Sequence, residues 1–326
     1  MKDTLKFKYG PKDIAALFLD SVVIDVCSTT AFKRLKDISF LGAIDYEKGF
    51  RLHRQNRYDH SVGVALLAQH YAQKMEFSGE QRRAIVLAAL LHDVGHAPLS
   101  HSLEPLFYER FGLNHHVATN ELLKGKVPLG GELSQLLRNN NIDAERLIEL
   151  MAGKDDSEEG RIFSSPINVD TIEAIWRGGS YLRKWFVNPV TVLDEFLELD
   201  RNQSAAMERF WSEKNSFYQL MIYSRTGIGA DHRARLMVER NICPNDFYST
   251  EKEFFANRRP SSDALRKEFA DFTVTVKVRK FEVNTLVKRV TYESIREKFK
   301  ITRAVKDVAI SGNLKSVVQC EQETIF

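Results

Sequence analysis

The stretch RRAIVLAALLHDVGHAPLSHSLEP, residues 82–105, decides the fold. Ala84, Leu87, Ala88 and Leu91 recur at helical spacing and predict one buried face, and Gly95 and Pro98 predict where that helix stops. His92 and Asp93 then fall in the last turn of an otherwise apolar helix. Burying two ionisable groups there without partners is costly, and a divalent cation is a partner that satisfies both. Working outward, RYDHSVGVALLAQHYAQK (57–74) is a second apolar helix and carries His60, and Asp170 lies further downstream. His60, His92, Asp93 and Asp170 make a dispersed set of imidazole and carboxylate donors, suited to Zn, Fe, Mn or Mg rather than to a soft thiophilic ion. A lone histidine on an apolar helix is usually a satisfied core or surface residue. Here His92, His96, His101, His115 and His116 place five of the nine histidines in one short stretch, and packing does not ask for that.

With those residues in view, a wider pattern emerges. RLKDISFLGA (34–43), NRYDHSVGVA (56–65), LLHDVGHAPLSHSLEP (90–105), NHHVAT (114–119) and INVDTIEAI (167–175) resemble the HD-domain phosphohydrolase superfamily. The resemblance runs from about Phe32 to about Val238 and looks most like the branch of bacterial dGTPases and the sterile-alpha-motif HD dNTP triphosphohydrolases. HD-GYP phosphodiesterases usually have Lys where this chain has His96, and no GYP motif occurs.

The resemblance implies a helical bundle in which His60, His92, Asp93 and Asp170 hold the metal. It implies that Arg57 and His96 contact substrate phosphate. His101 would be the proton donor or base at the scissile phosphate, Glu104 would orient His101, and His115 would be a second catalytic or phosphate-contacting histidine. General chemistry is compatible with each role. A bound cation withdraws charge from a phosphoryl oxygen, an arginine fork clamps two such oxygens, and an imidazole protonates a leaving alkoxide. Glu104 lies three residues after His101, on the same face of a helical turn. The pattern also departs from that branch. Phe40 stands where a polar residue commonly helps to read the sugar, Glu173-Ala174 replaces an aspartate-tyrosine pair, and Tyr223 to Arg225 replaces a Tyr-Gln-His ending. Metal and phosphate machinery is retained while the sugar-reading part is altered.

The chain of 326 residues, 43% hydrophobic, is long enough for a substantial core. The expected class is mainly α: a helical HD domain over 1–240, then a small basic α+β module over 241–326. Residues 14–41 read as helix, GAIDYEKGFRL (42–52) as a hairpin or irregular loop, and 154–160 as a solvated acidic loop or a lid. Helix resumes over 190–240. In the C-terminal part, FTVTVKVRKFEVN (272–284) alternates with a period of two and predicts a strand, followed by a helix in VTYESIREKFKI and strands in VKDVAISG and SVVQCEQ. Between Ala256 and Lys306 stand 14 Lys or Arg against 6 Asp or Glu, a local charge of +8 within a whole-chain +3. That is a solvated face, a site for an anionic effector held between subunits of a homo-oligomer, or a surface for single-stranded nucleic acid.

Three scattered cysteines suit a reducing compartment. Absence of a signal-like N-terminus or a long apolar run leads to the expectation of a soluble cytoplasmic protein without a membrane segment. The expected activity is metal-dependent hydrolysis of a nucleotide, with release of nucleoside and triphosphate. A phosphatase, a phosphodiesterase or nuclease, and a nucleotide-sensing scaffold that has lost chemistry are the alternatives.

Overall fold

The computed structural model describes residues 6, 8–47, 50, 54–164, 167–184, 186–197 and 205–256, and in the C-terminal part 275–278, 306–311 and 318–320. Fifteen helices precede the first strand among these residues: α1 (Pro11–Leu17), α2 (Ser21–Ser28), α3 (Thr30–Lys33), α4 (Arg57–Lys74), α5 (Gly79–Leu91), α6 (Glu104–Phe111), α7 (His115–Leu123), α8 (Gly131–Asn139), α9 (Ala144–Met151), α10 (Arg161–Ser164), α11 (Val169–Gly178), α12 (Pro189–Leu197), α13 (Ala205–Phe217), α14 (Arg225–Val238) and α15 (Glu251–Ala256). The mainly α class expected from the sequence is what the structure has.

The centre of the bundle is the α4–α5 pair, with α11 against α4 and α9 against α5. α4 is buried on nearly every side, from Tyr58 and Val62 to Tyr71, which marks a core helix rather than an amphipathic surface one. Its start is set by Asn56, whose side chain accepts from Asp59 N at 2.8 Å. α5 begins on a capping box between Ser78 and Gln81 and buries Ile85 through Leu91 without interruption. Truncating a side chain such as Leu66 or Leu87, both within this seam, costs about 2–5 kcal/mol by the usual cavity argument.

Local chemistry breaks what the periodicity joined. The helical stretch expected over 14–41 is three helices and a 3-10 turn (Arg34–Asp37), because Asp20 and Thr29 each adopt extended backbone and cap the helix that follows. GAIDYEKGFRL holds a 3-10 turn over Gly42–Tyr46, and an isolated antiparallel bridge joins Ser39 to Asn56. The acidic segment 154–160 is tied down: Arg146 bonds Asp155 at 2.8 Å and Glu159 at 2.7 Å, and the Tyr71 hydroxyl donates to the Glu158 carbonyl. Between α13 and α14 lies a π-helical turn, Tyr218–Ile222, which periodicity does not signal.

Helical packing continues past residue 240, since Phe247, Phe254 and Phe255 are buried in the same core. The three described strands, β1 (Thr275–Val278), β2 (Lys306–Ser311) and β3 (Val318–Cys320), form an antiparallel meander with Val276 opposite Ile310 and Val308 opposite Val318. They fall within the three segments read as strands. The helix expected in VTYESIREKFKI, and most of the basic stretch 256–306, lie outside the described residues. Among the described residues, no helix is long and apolar enough to cross a membrane.

Candidate metal centre and histidine cluster

Three helix ends deliver the four expected donors to one point. His60 sits in the first turn of α4, His92 and Asp93 follow the last residue of α5, and Asp170 sits in the first turn of α11, which is capped by Asn168. His60 Nε2 lies 3.0 Å from Asp170 Oδ1 and 3.5 Å from Asp93 Oδ2. His92 Nε2 lies 3.4 Å from Asp93 Oδ1 and 3.6 Å from Asp170 Oδ1. His60, His92 and Asp93 offer ligand atoms within 4.8 Å of one another, a grouping that could hold an ion, and Asp170 Oδ1 stands beside both imidazoles at its rim. His92 Nε2 is buried without an aligned hydrogen-bond partner, as a lone pair reserved for a cation would be.

The rings are oriented from behind. His92 Nδ1 lies 2.8 Å from the Ala89 carbonyl, which can only accept, so Nδ1 carries the proton and Nε2 faces the centre. His60 Nδ1 lies 2.5 Å from Glu173 Oε2, with the same result. Glu173 is fully buried and paired with the equally buried Arg177, which also donates to Gln55 Oε1 at 3.0 Å and to the Asp59 carbonyl at 2.9 Å. Gly63, one turn after His60, makes room for this carboxylate, since a Cβ there would stand 2.4 Å from Glu173 Oε1.

Burial opposes ionisation of Asp93, but His92, His96 and Arg57 outweigh it and hold its carboxyl well below the usual range. Asp170, whose side chain is 41% exposed, is likewise held low by His60 and His92 against desolvation. Burial works against the charged form of His92, yet Asp93 and Asp170 raise it to about 9. The pocket therefore calls for positive charge, which a divalent ion supplies along with Lewis acidity. Two imidazoles and two carboxylates fit such an ion.

Arg57, expected at substrate phosphate, is buried and turned toward the protein. It donates to Asp93 Oδ2 at 2.7 Å, Ser100 Oγ at 3.1 Å and the Phe40 carbonyl at 2.9 Å. Phe40 packs its ring on His60, 4.9 Å between centroids, and under the Arg57 guanidinium.

Next to the metal donors stands a second group, His96, His101, Glu104 and His115, with one ligand-type atom of each within 4.8 Å of the others. His96 is fully buried, 3.1 Å from Asp93 Oδ1, and stacked on His115 at 4.4 Å; burial and then the Arg57 charge push its pKa well down, so it is neutral. Gly95 permits the close approach of α7: a Cβ there would meet the His115 carbonyl at 2.3 Å. Glu104, expected to orient His101, makes its short bond to His115 Nδ1 at 2.6 Å, while His101 Nδ1 is 3.7 Å away. Burial would raise the Glu104 pKa, but His101 and His115 hold it far below the carboxylate range. The His101 side chain is 52% exposed, at the open side of the cluster.

Sequence reasoning passed over two residues. Glu173 was read only as a departure from a pattern, although its spacing of four to Arg177 and the glycine opposite it were visible. Lys214, on α13, is buried with its Nζ 5.1 Å from the Trp211 ring and 6.0 Å from that of Tyr218. Burial lowers its pKa to about 8, with Asp170 opposing the shift. A signal existed, because Phe210, Lys214, Phe217 and Met221 continue one apolar stripe that a lysine interrupts. Arginines on this side make local bonds: Arg209 reaches Glu213 at 2.7 Å, Arg233 pairs with Glu47, and Arg235 donates to the Ser102 carbonyl at 3.1 Å. His70 bonds Asp194 at 2.6 Å, away from the centre, as a structural histidine does.

Comparison with known proteins gives a family match over part of the chain. Residues 57–170, which begin at Arg57 and end at Asp170, match the family described as HD domain. An uncharacterised protein of Bacillus subtilis, YwfO, is 27% identical over 169 residues, 50% of this chain and 37% of its own length. The deoxynucleoside triphosphate triphosphohydrolase SAMHD1 of Xenopus laevis is 27% identical over 46% of the chain and 26% of its own length, and the SAMHD1 homolog of Dictyostelium discoideum is 30% identical over 25% and 17%. The chain thus spans well under half the length of each of these relatives. Residues 57–170 thus match an HD domain, and SAMHD1-like proteins are among the chain's relatives.

Proposed function

We propose that the protein is a metal-dependent phosphohydrolase acting on a nucleotide, with a preferred reaction in which water attacks the phosphorus next to the sugar. The observation that carries this reading is the group of His60, His92 and Asp93, with Asp170 against both imidazoles, beside a histidine cluster bonded to Glu104. His60, His92, Asp93 and Asp170 would hold the ion, which supplies Lewis acidity at a phosphoryl oxygen. Arg57 fixes the orientation of Asp93. His96, neutral and buried, and Lys214, a buried amine whose charge Asp170 favours, suit the phosphate chain. His101, at the open edge, would give its proton to the sugar oxygen as the phosphorus–oxygen bond breaks, and His115, bonded to Glu104, would back it. Atoms balance with one water consumed: hydroxyl is added to phosphorus, and nucleoside leaves with the proton.

Kinship with enzymes named as deoxynucleoside triphosphate triphosphohydrolases supports the substrate class. Phe40, packed on His60, and Ala174 in α11 argue that the sugar is read differently here. An effector or single-stranded nucleic acid on the basic C-terminal stretch, and a homo-oligomer, belong to the same proposal.

The test is to incubate purified protein with Mg, Mn, Fe(II) or Zn and a panel of NTPs, dNTPs, monophosphates and oligonucleotides, and to resolve the products. Nucleoside with intact triphosphate is the expected outcome. Stepwise loss of terminal phosphate or cleavage of an oligonucleotide would replace the preferred reaction by a phosphatase or nuclease. No turnover above an Asp93→Ala control with any metal would leave a sensing scaffold in place of an enzyme.

A further inference from the structure

Glu251 opens the short helix α15 and has no exposed surface, yet it is a carboxylate. Its two oxygens face different structures. Oε1 accepts from Ser39 N at 2.7 Å, Ser39 Oγ at 2.5 Å and Leu99 N at 3.0 Å. Oε2 accepts from Arg54 Nη2 at 2.5 Å and from the Tyr46 hydroxyl.

The Oε1 side leads to the metal donors through an unbroken series of bonds. Leu99 and Ser100 both lie in the left-handed region, with φ of 60° and 44°, although neither is glycine. Such a conformation persists where the surroundings hold it, and Glu251 holds the first of the two. The Ser100 hydroxyl gives its single proton to the Ser39 carbonyl at 2.6 Å, so its lone pairs are left to accept from Arg57 Nε at 3.1 Å. Arg57 in turn bonds Asp93 Oδ2 at 2.7 Å, and its own backbone N–H bonds the Ile38 carbonyl at 3.0 Å, next to Ser39.

We propose that Glu251 is a positioning residue for the metal centre: through Oε1 it clamps Ser39 to Leu99, and Ser100 and Arg57 then hold Asp93 in its ligating orientation. The clamp comes from outside the 57–170 segment that matches the HD domain, so the geometry of the centre is set in part by the chain that follows the domain. Oε2, facing Tyr46 and Arg54, anchors the carboxylate and does not lie on the route to Asp93. The inference rests on the four-donor centre and not on the phosphohydrolase reading.

The asymmetry of the two oxygens supplies the test, read by Co(II) titration and the visible spectrum of the bound ion in the whole 326-residue chain. Ser39→Ala removes a hydroxyl from Oε1 and Tyr46→Phe removes one from Oε2, so a merely structural role predicts similar behaviour for both. The expected result is a roughly tenfold weaker Co(II) affinity with shifted bands in Ser39→Ala and Glu251→Gln, and a change within about twofold in Tyr46→Phe. Co(II) binding in Ser39→Ala or in folded Glu251→Gln that matches the unsubstituted protein, or an equal loss in Ser39→Ala and Tyr46→Phe, would overturn the proposal. If Glu251→Gln does not fold, the hydroxyl pair decides by the same criteria. Turnover is not needed for the readout, so a failed phosphohydrolase assay leaves this test intact.

Discussion

His60 and His101 belong to neighbouring parts of one site and are held in opposite ways. His60 is fully buried, its Nδ1 fixed at 2.5 Å by a glutamate that is itself paired with a buried arginine. His101 is 52% exposed, and its closest carboxylate contact is 3.7 Å, too long for a hydrogen bond. The same contrast runs through the residues around them. His92 and Asp93 are braced by Ala89 and Arg57, whereas Glu104 gives its short bond to His115 and leaves His101 the looser contact. A metal centre needs its donors in place before the ion arrives, because every reorganisation on binding is subtracted from affinity. A proton donor can stay loose until substrate closes over it, and catalytic hydrogen bonds are often long in the free enzyme. The site is therefore tightly braced around His60 and more loosely held at His101.

Substitutions can break that comparison. The largest effect is expected from Asp93→Ala, which takes a carboxylate from the ion and leaves Arg57 buried without its ion-pair partner. Metal affinity should fall by more than about 100-fold, beyond the range for outer partners, and turnover with it, as read by metal analysis and product assay. His101→Ala should lower turnover by about 10²–10⁴-fold while metal content stays at the unsubstituted level, which would separate reaction from binding. Glu173→Gln should weaken metal binding about 10–100-fold by removing the charge behind His60. It should also destabilise the fold by up to about 3–5 kcal/mol in denaturant melts, because Arg177 stays buried without its counter-charge. The smallest effect is expected at Lys214→Met. Loss of a charge-assisted contact worth about 1.5–3 kcal/mol should raise KM roughly 10–100-fold with metal content unchanged. If Lys214→Met instead removed the metal, the lysine would belong to the braced half.

The sequence made the braced half partly legible. Periodicity located α4 and α5, and the adjacent His92-Asp93 stood out because an apolar helix does not tolerate it; the caps Asn56 and Asn168, which start the helices that present His60 and Asp170, came from the structure. Its braces were less legible. Glu173 lies 113 residues from His60 and Glu251 lies 152 from Leu99, so neither partnership leaves a local pattern. Asp20 and Thr29 divided a stretch that periodicity joined, since a capping side chain competes with the helix at a single residue. The π-helical turn at Tyr218–Ile222 was invisible for a related reason: one extra residue in a turn hardly alters an apolar stripe.

The most direct measurement is metal stoichiometry after equilibrium dialysis against Mn(II) or Zn(II), in the unsubstituted protein, Asp93→Ala and His115→Ala. His115 belongs only to the neighbouring cluster of His96, His101 and Glu104, which also offers metal-type donors. The account predicts one tightly bound ion that is lost in Asp93→Ala and kept in His115→Ala. Retention in Asp93→Ala with loss in His115→Ala would place the ion in the other cluster and contradict it.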